Sequence, residues 1–284
     1  MLSKHFKSRG IVLFSSAAVL SMVVGLTACN DSDDKKAITS VEFTSTPAPS
    51  SNADLVRATT SSKVIVTYDD GSTEEFPLSY NTLFKNVDRV GSSANEAGRL
   101  YDYQGTPLVD PNGDPLIAET ADANSLLEVG DKLFLVNHWE YDWILANGTG
   151  ANKAPNWYSR APMSMNLTNI AQDKDSGKLT ATDQRPIDFS GVDGLWIPCF
   201  GSQSPWNTHL GSEEDYDLYF VKASGGYDTA TSNGLKAMTE LYFKNSRQAN
   251  PYHYGYIPEV KVNSDGSTEV KKHYNMGRGT WEQT

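Results

Sequence analysis

Apolar and polar residues alternate along this chain in short bursts, separated by Gly, Asp, Asn and Pro. That is the period-two pattern of half-buried strands joined by tight turns. Lys63-Val-Ile-Val-Thr-Tyr68, Asp69-Asp-Gly-Ser72 and Thr73-Glu-Glu-Phe-Pro77 predict a hairpin with Asp-Gly at its turn. Stretches 126–129 and 132–136, around Gly130-Asp131, repeat that order. Residues 194–197, 217–221 and 254–260 are further strand candidates. The last runs through Asn263-Ser-Asp-Gly266 into 270–274, a third hairpin. One segment departs from this pattern. Leu235, Met238, Leu241 and Tyr242 recur at helical spacing behind Asn233, a residue type that caps helices.

Short strands with one inserted helix define an all-β chain: a sandwich, a barrel or a propeller. A propeller blade takes about 40–45 residues, so the chain holds roughly five or six at most. No blade motif repeats, and periodicity alone does not choose among the three.

The N-terminus changes the picture. Lys4, Lys7 and Arg9 form a basic start, 10–28 is uncharged and mostly apolar, and Leu26-Thr27-Ala28-Cys29 closes it. This is the pattern of a secretory signal cut before a cysteine that receives lipid. The expectation is a signal peptide over 1–28, a tether and linker over 29–60, and over 61–284 a stretch long enough for one large all-β domain or two smaller ones. Cys29 is the lipidation site, and the protein is exported and lipid-anchored to a bacterial membrane, on its periplasmic or cell-surface side. The alternative is an uncleaved spanning helix. The formal charge of −11 becomes more negative still once the basic segment is removed. An acidic surface disfavours nucleic acid as a partner, and it suits either solubility or carboxylate binding of cations.

If Cys29 carries lipid, Cys199 has no disulfide partner, because the chain has two cysteines. A lone thiol in an exported protein is either a packed small hydrophobe or a metal ligand. Glu213-Glu214 lies a short segment away, past Pro205-Trp-Asn-Thr208. Adjacent carboxylates are either exposed acids or a pair whose repulsion a hard cation relieves. Asn137-His138-Trp139-Glu140 follows a predicted strand and offers either a metal and acid–base group or a solvated strand end. Arg278, between Gly277 and Gly279, is either a phosphate contact or an ordinary loop residue. No nucleophile elbow, phosphate-binding Walker loop, HExxH or CxxC is present.

Taken in order, these stretches resemble the PhoX-type alkaline phosphatases. The family's Cys-x-Gly-x-x-Thr-Pro-Trp-Gly-Thr segment, closing in Glu-Glu, is similar to 199–214. Its Tyr-Gly strand with Glu-Val is similar to 254–260, its Gly-Arg-x-x-x-Glu to 277–282, and its Asn-His-Glu to Asn137-His138 and Glu140, with Trp139 inserted. The resemblance implies a β-propeller, incomplete in this chain, and hydrolysis of phosphate esters. It implies ferric iron, Fe(III), and calcium, Ca2+, as cofactors. Carried over by position, Cys199 binds iron, and Glu213 or Glu214 together with Glu282 bind iron or calcium. Ser204 and Asn207 stand where the family has Thr and Gly, and Trp281 where a His commonly precedes the last Glu. Members continue beyond the Gly-Arg segment and this chain stops at Thr284, so the resemblance implies a truncated product. The rival reading is a non-enzymatic propeller-like lipoprotein that binds calcium or a surface ligand.

Overall fold

A computed structural model describes residues 36–141, 144–150, 162–214, 222–223, 226–227 and 234–282. The chain divides into two compact units, one up to Tyr80 and one from Asn81. The first is an antiparallel sheet in the order β1 (Ile38–Phe43), β2 (Lys63–Tyr68), β3 (Thr73–Pro77). β2 and β3 form the expected hairpin, with Gly71 at φ 79° in the turn, a conformation glycine adopts without steric cost. β1 comes from within the stretch expected as tether and linker. Its Ile38-Thr-Ser-Val-Glu-Phe43 alternation is short and largely exposed, and it registers along β2 from Val64 to Tyr68. A four-residue helix, α1 (Asn52–Leu55), capped by the Ser51 hydroxyl, interrupts the Ser/Pro-rich connection.

The second unit carries two four-stranded antiparallel sheets. One runs in the order β4 (Thr120–Val129), β5 (Lys132–Tyr141), β6 (Ser164–Gln172), β7 (Leu179–Pro186). The other is built from β8 (Pro198–Gln203), β9 (His209–Glu213), β12 (Pro258–Val262) and β13 (Thr268–Lys272), in the order β13-β12-β9-β8. Between them in sequence, β10 (Lys222–Ala223) and β11 (Gly226–Tyr227) form a two-residue pair. The chain is all-β, as its alternation implies. The described residues provide two blade-like sheets and do not close them into a ring.

Successive residues of β5 and β6 serve different cores because side chains alternate across a strand. Phe134, Val136, Met165 and Leu167 pack with Val260 and Val262 from the second sheet. Trp139 packs on the opposite side with Leu100, Leu108 and Leu116. Those three leucines belong to two consecutive eight-residue turns. Asp102 Oδ1 accepts the N–H groups of Gln104 and Thr106, and Asp110 Oδ1 those of Asn112 and Asp114. Gly105 and Gly113 supply positive φ at matching places. The leucine backbones bond in a closed circuit: Leu108 N–H to Leu100 C=O (2.9 Å), Leu116 N–H to Leu108 C=O (3.2 Å), and Leu100 N–H to Leu116 C=O (3.1 Å).

Two expected strands are displaced. Residues 194–197 contribute only a single bridge, Leu195 with Met163, because Ile197 sits at φ 31° and the strand begins at Pro198. Residues 254–257 stay irregular after a short 3-10 turn, with Gly255 at φ 87°, and β12 begins at Pro258. The expected strand at 217–221 and the Asn233 cap lie outside the described residues, as does Cys29. The helix forms over 234–242, its second half (Met238–Tyr242) as a π-turn that buries Met238 and Tyr242. Among the described residues no helix is long and apolar enough to cross a membrane.

Candidate metal centre

Three side chains converge at the ends of the two sheets. The ligand atoms of Glu140 on β5, Cys199 on β8 and Glu214 just past β9 all lie within 4.8 Å of one another. Asp122 on β4 hydrogen-bonds Cys199 and contributes a further carboxylate. All three strand residues sit where the ladder register slips. On β8 the register steps from Pro198↔Glu213 to Gly201↔Gly211, so Cys199 and Phe200 face Ser212 alone. On β4 it steps from Ala121↔Trp139 to Asn124↔Asn137, leaving Asp122 and Ala123 against His138. On β5, Glu140 is the extra residue between partners of Thr120 and Ala121. A bulge turns one side chain away from strict alternation, and here the turned side chains are the site.

The electrostatics are those of crowded acids. Burial pushes the Glu140 carboxyl up to about 7, and the Asp122 and Glu214 carboxylates push the same way. The Cys199 thiol is pushed up by burial and then by Glu140, Glu214 and Asp122. Asp122 is also raised by partial burial. A thiol and a carboxyl whose ionisation burial and neighbouring carboxylates both oppose fit a cation, whose charge removes the repulsion.

The sequence-derived residues separate. Cys199 and Glu214 join the cluster. Glu213 does not: its side chain is buried in the core. Glu213 Oε1 accepts Trp196 N–H (2.9 Å) and pairs with Lys272 Nζ (2.9 Å). Oε2 accepts Gly255 N–H (3.1 Å) and Tyr256 N–H (3.2 Å). All four partners are donors, so the carboxylate form is the one they fit. Burial nevertheless pushes Glu213 up and Lys272 down, each opposed by the other's charge. Glu282 is exposed and outside the cluster. It follows Trp281, whose N–H donates to the Glu213 carbonyl (3.2 Å) and holds the end of the described chain against the Glu213-Glu214 segment. The Arg278 guanidinium stacks over Tyr252 at 4.7 Å and donates to the Pro251 carbonyl (3.4 Å).

Two features escaped the sequence reading. Asp122 lies in a polar stretch whose strand has no clean alternation, and only the bulge brings it inward. The role of Pro205-Trp206-Asn207-Thr208 is also visible only in three dimensions. Trp206 Nε1 and the Thr208 hydroxyl both donate to Glu259 Oε1 at 2.6 Å, while Lys271 and His273 meet Oε2 at 2.8 Å. Burial pushes Glu259 up, but Lys271, Thr208, Trp206 and His273 outweigh it and hold the carboxyl at about 2. The turn is thereby tied to β12 and β13.

Antiparallel sheets whose bulged ends gather a thiol and three carboxylates define an all-β protein with a candidate cation site. The family model of alkaline phosphatase PhoX matches residues 109–284. The chain belongs to that family, and every residue of the cluster lies within the match. No curated protein and no solved structure matches the chain.

Proposed function

We propose that the chain is a metal-dependent phosphomonoester hydrolase whose metal centre is built on Cys199, Glu140, Glu214 and Asp122. The observation that carries this is the convergence of those four groups inside the region matched by the alkaline phosphatase PhoX model. A thiolate suits iron and carboxylates suit harder cations, so ferric iron is assigned beside Cys199 and calcium among the carboxylates. When bound, such cations supply positive charge that polarises a phosphate oxygen and stabilises charge during transfer.

The chain's own residues supply the frame. The bulges of β4, β5 and β8 hold three ligands from separate strands at one point, beside Glu214 just past β9. Of the Glu213-Glu214 pair, Glu214 is the ligand and Glu213 the buried anchor that fixes it. Arg278 and Glu282 flank Trp281, and we assign them outer positions, Arg278 contacting substrate phosphate and Glu282 adding a carboxylate. Export and lipid attachment through Cys29 belong to the same proposal, on the strength of the N-terminal pattern.

The test is metal analysis and p-nitrophenyl phosphate turnover of the purified chain, before and after chelation and after reconstitution with Fe(III) and Ca2+. Iron and calcium in the native protein, with turnover lost on chelation and restored on reconstitution, support the reading. Calcium alone with no turnover points to the non-enzymatic ligand-binding lipoprotein instead.

A further inference from the structure

Ser125, His209 and His138 form a continuous hydrogen-bonded chain that ends on the backbone of Cys199. His138 Nδ1 faces two carbonyl oxygens, Cys199 at 2.8 Å and Pro198 at 3.2 Å, and must therefore donate. The neutral ring then has its lone pair on Nε2, and His209 Nε2–H donates into it at 2.6 Å. His209 Nδ1 is left to accept from the Ser125 hydroxyl at 2.7 Å. Both rings are fully buried and meet edge to face at 90°. The four residues come from β4, β9, β5 and β8, so the chain stitches one sheet to the other.

The fold makes room for this pair at the expense of side chains elsewhere. A Cβ on Gly201 would stand 2.7 Å from His209 Cε1, and one on Gly211 would stand 3.2 Å from His138 Cε1. Both glycines flank the β8–β9 bulge that contains Cys199. A bulge removes ladder partners from the residues within it. The Cys199 carbonyl lies within this bulge, and His138 Nδ1–H donates to it. That bond ties the two-against-one register of β8 to β5 of the other sheet through a side chain.

We propose that the His138–His209 pair is a positioning device that locks the β8 bulge and so aims the Cys199 thiol at Glu140 and Glu214. It rests on the metal-centre reading for its purpose, and on the backbone geometry alone for its action. The two histidines are positioning residues, acting through Cys199 without touching substrate.

Conservative variants separate the device from general core packing. His138→Asn keeps an N–H near the Nδ1 position, whereas His138→Gln moves its amide toward Nε2 and removes the side-chain donor to the Cys199 carbonyl. In the metal-free full-length chain, the rate of iodoacetamide alkylation of Cys199, followed on its peptide by mass spectrometry, should rise at least tenfold in His138→Gln and less than threefold in His138→Asn. On titration with Co2+, the thiolate-to-metal charge-transfer band should survive in the Asn variant and vanish in the Gln variant. If His138→Gln does not melt cooperatively, His209→Gln, which keeps the donor to His138, and His209→Met, which lacks it, carry the same comparison. Equal alkylation rates within the folded pair overturn the positioning role, whether or not metal binds. A split in alkylation rates with no band in the wild type leaves the device standing and overturns Cys199 as a ligand.

Discussion

Glu213 and Lys272 meet at 2.9 Å with both side chains wholly removed from solvent. The pair joins β9 to β13 across β12, and the lysine also donates to the His253 carbonyl at 3.0 Å. Removing either partner strands a charge in the interior. Lys272→Met and Glu213→Gln should each lower unfolding stability by about 3–5 kcal/mol in urea melts. A loss below about 1 kcal/mol would show that water reaches the pair.

Glu140 yields a pH signature. Its carboxyl is raised in the folded state to about 7 from an ordinary 4.5, so the native form holds its proton where the unfolded form has released it. That contribution favours folding below about 4.5 and is lost as pH rises through 7. His138 and His209, both lowered by burial, act in the opposite sense over an overlapping range. The difference between variant and wild type isolates the glutamate. Metal-free Glu140→Gln should gain on the wild type as pH climbs from 4.5 to 8, by on the order of 2 kcal/mol. A constant difference across that range would show that Glu140 is not held protonated.

Cys199→Ser tests the ligand directly. Without metal, the variant should melt within about 1 kcal/mol of the wild type, since a half-buried thiol replaced by a hydroxyl of similar size loses little packing. With Fe(III) present, the wild type alone should show a rise in melting temperature, because binding to the native state stabilises by mass action. In the variant, turnover of p-nitrophenyl phosphate should be lost along with that rise. An equal rise in both proteins removes Cys199 from the centre.

Gly201→Ala places a methyl 2.7 Å from His209 Cε1 and 2.9 Å from Ala123 Cβ. Neither neighbour can swing aside, so overpacking of about 1–3 kcal/mol is expected. Gly71→Ala, in a turn with no atom within 4 Å, strains only its own φ of 79°. It should cost less, and urea midpoints rank the two. A ranking reversed from this would mean that the imidazole pair is loosely held.

The sequence disclosed the alternating strands with clear turns. The β2–β3, β4–β5 and β12–β13 hairpins each carry a glycine at positive φ between apolar runs. β7 was hidden because Leu-Thr-Ala-Thr-Asp-Gln-Arg-Pro is mainly polar and gains its place from β6 rather than from its own pattern. β8 was hidden because Pro-Cys-Phe-Gly-Ser-Gln reads as a turn and is a strand only through its pairing with β9. Within the site, Cys199 stood out by chemistry. The choice between Glu213 and Glu214 did not, since it depends on which way Lys272 and three backbone N–H groups draw one of two identical side chains. Asp122 needed a register slip that period-two logic assumes away.

The circuit of Leu100, Leu108 and Leu116 has a consequence for how this part of the molecule tolerates change in length. A stack of equal turns that ends open can gain or lose a unit, as solenoids do. Here the third leucine bonds back to the first, so the number of members is fixed by closure. An insertion of eight residues between 108 and 116 would keep every local turn signal and still break the loop of hydrogen bonds, leaving Trp139 against a mismatched surface. Duplication, harmless in a ladder, is a defect in a knot.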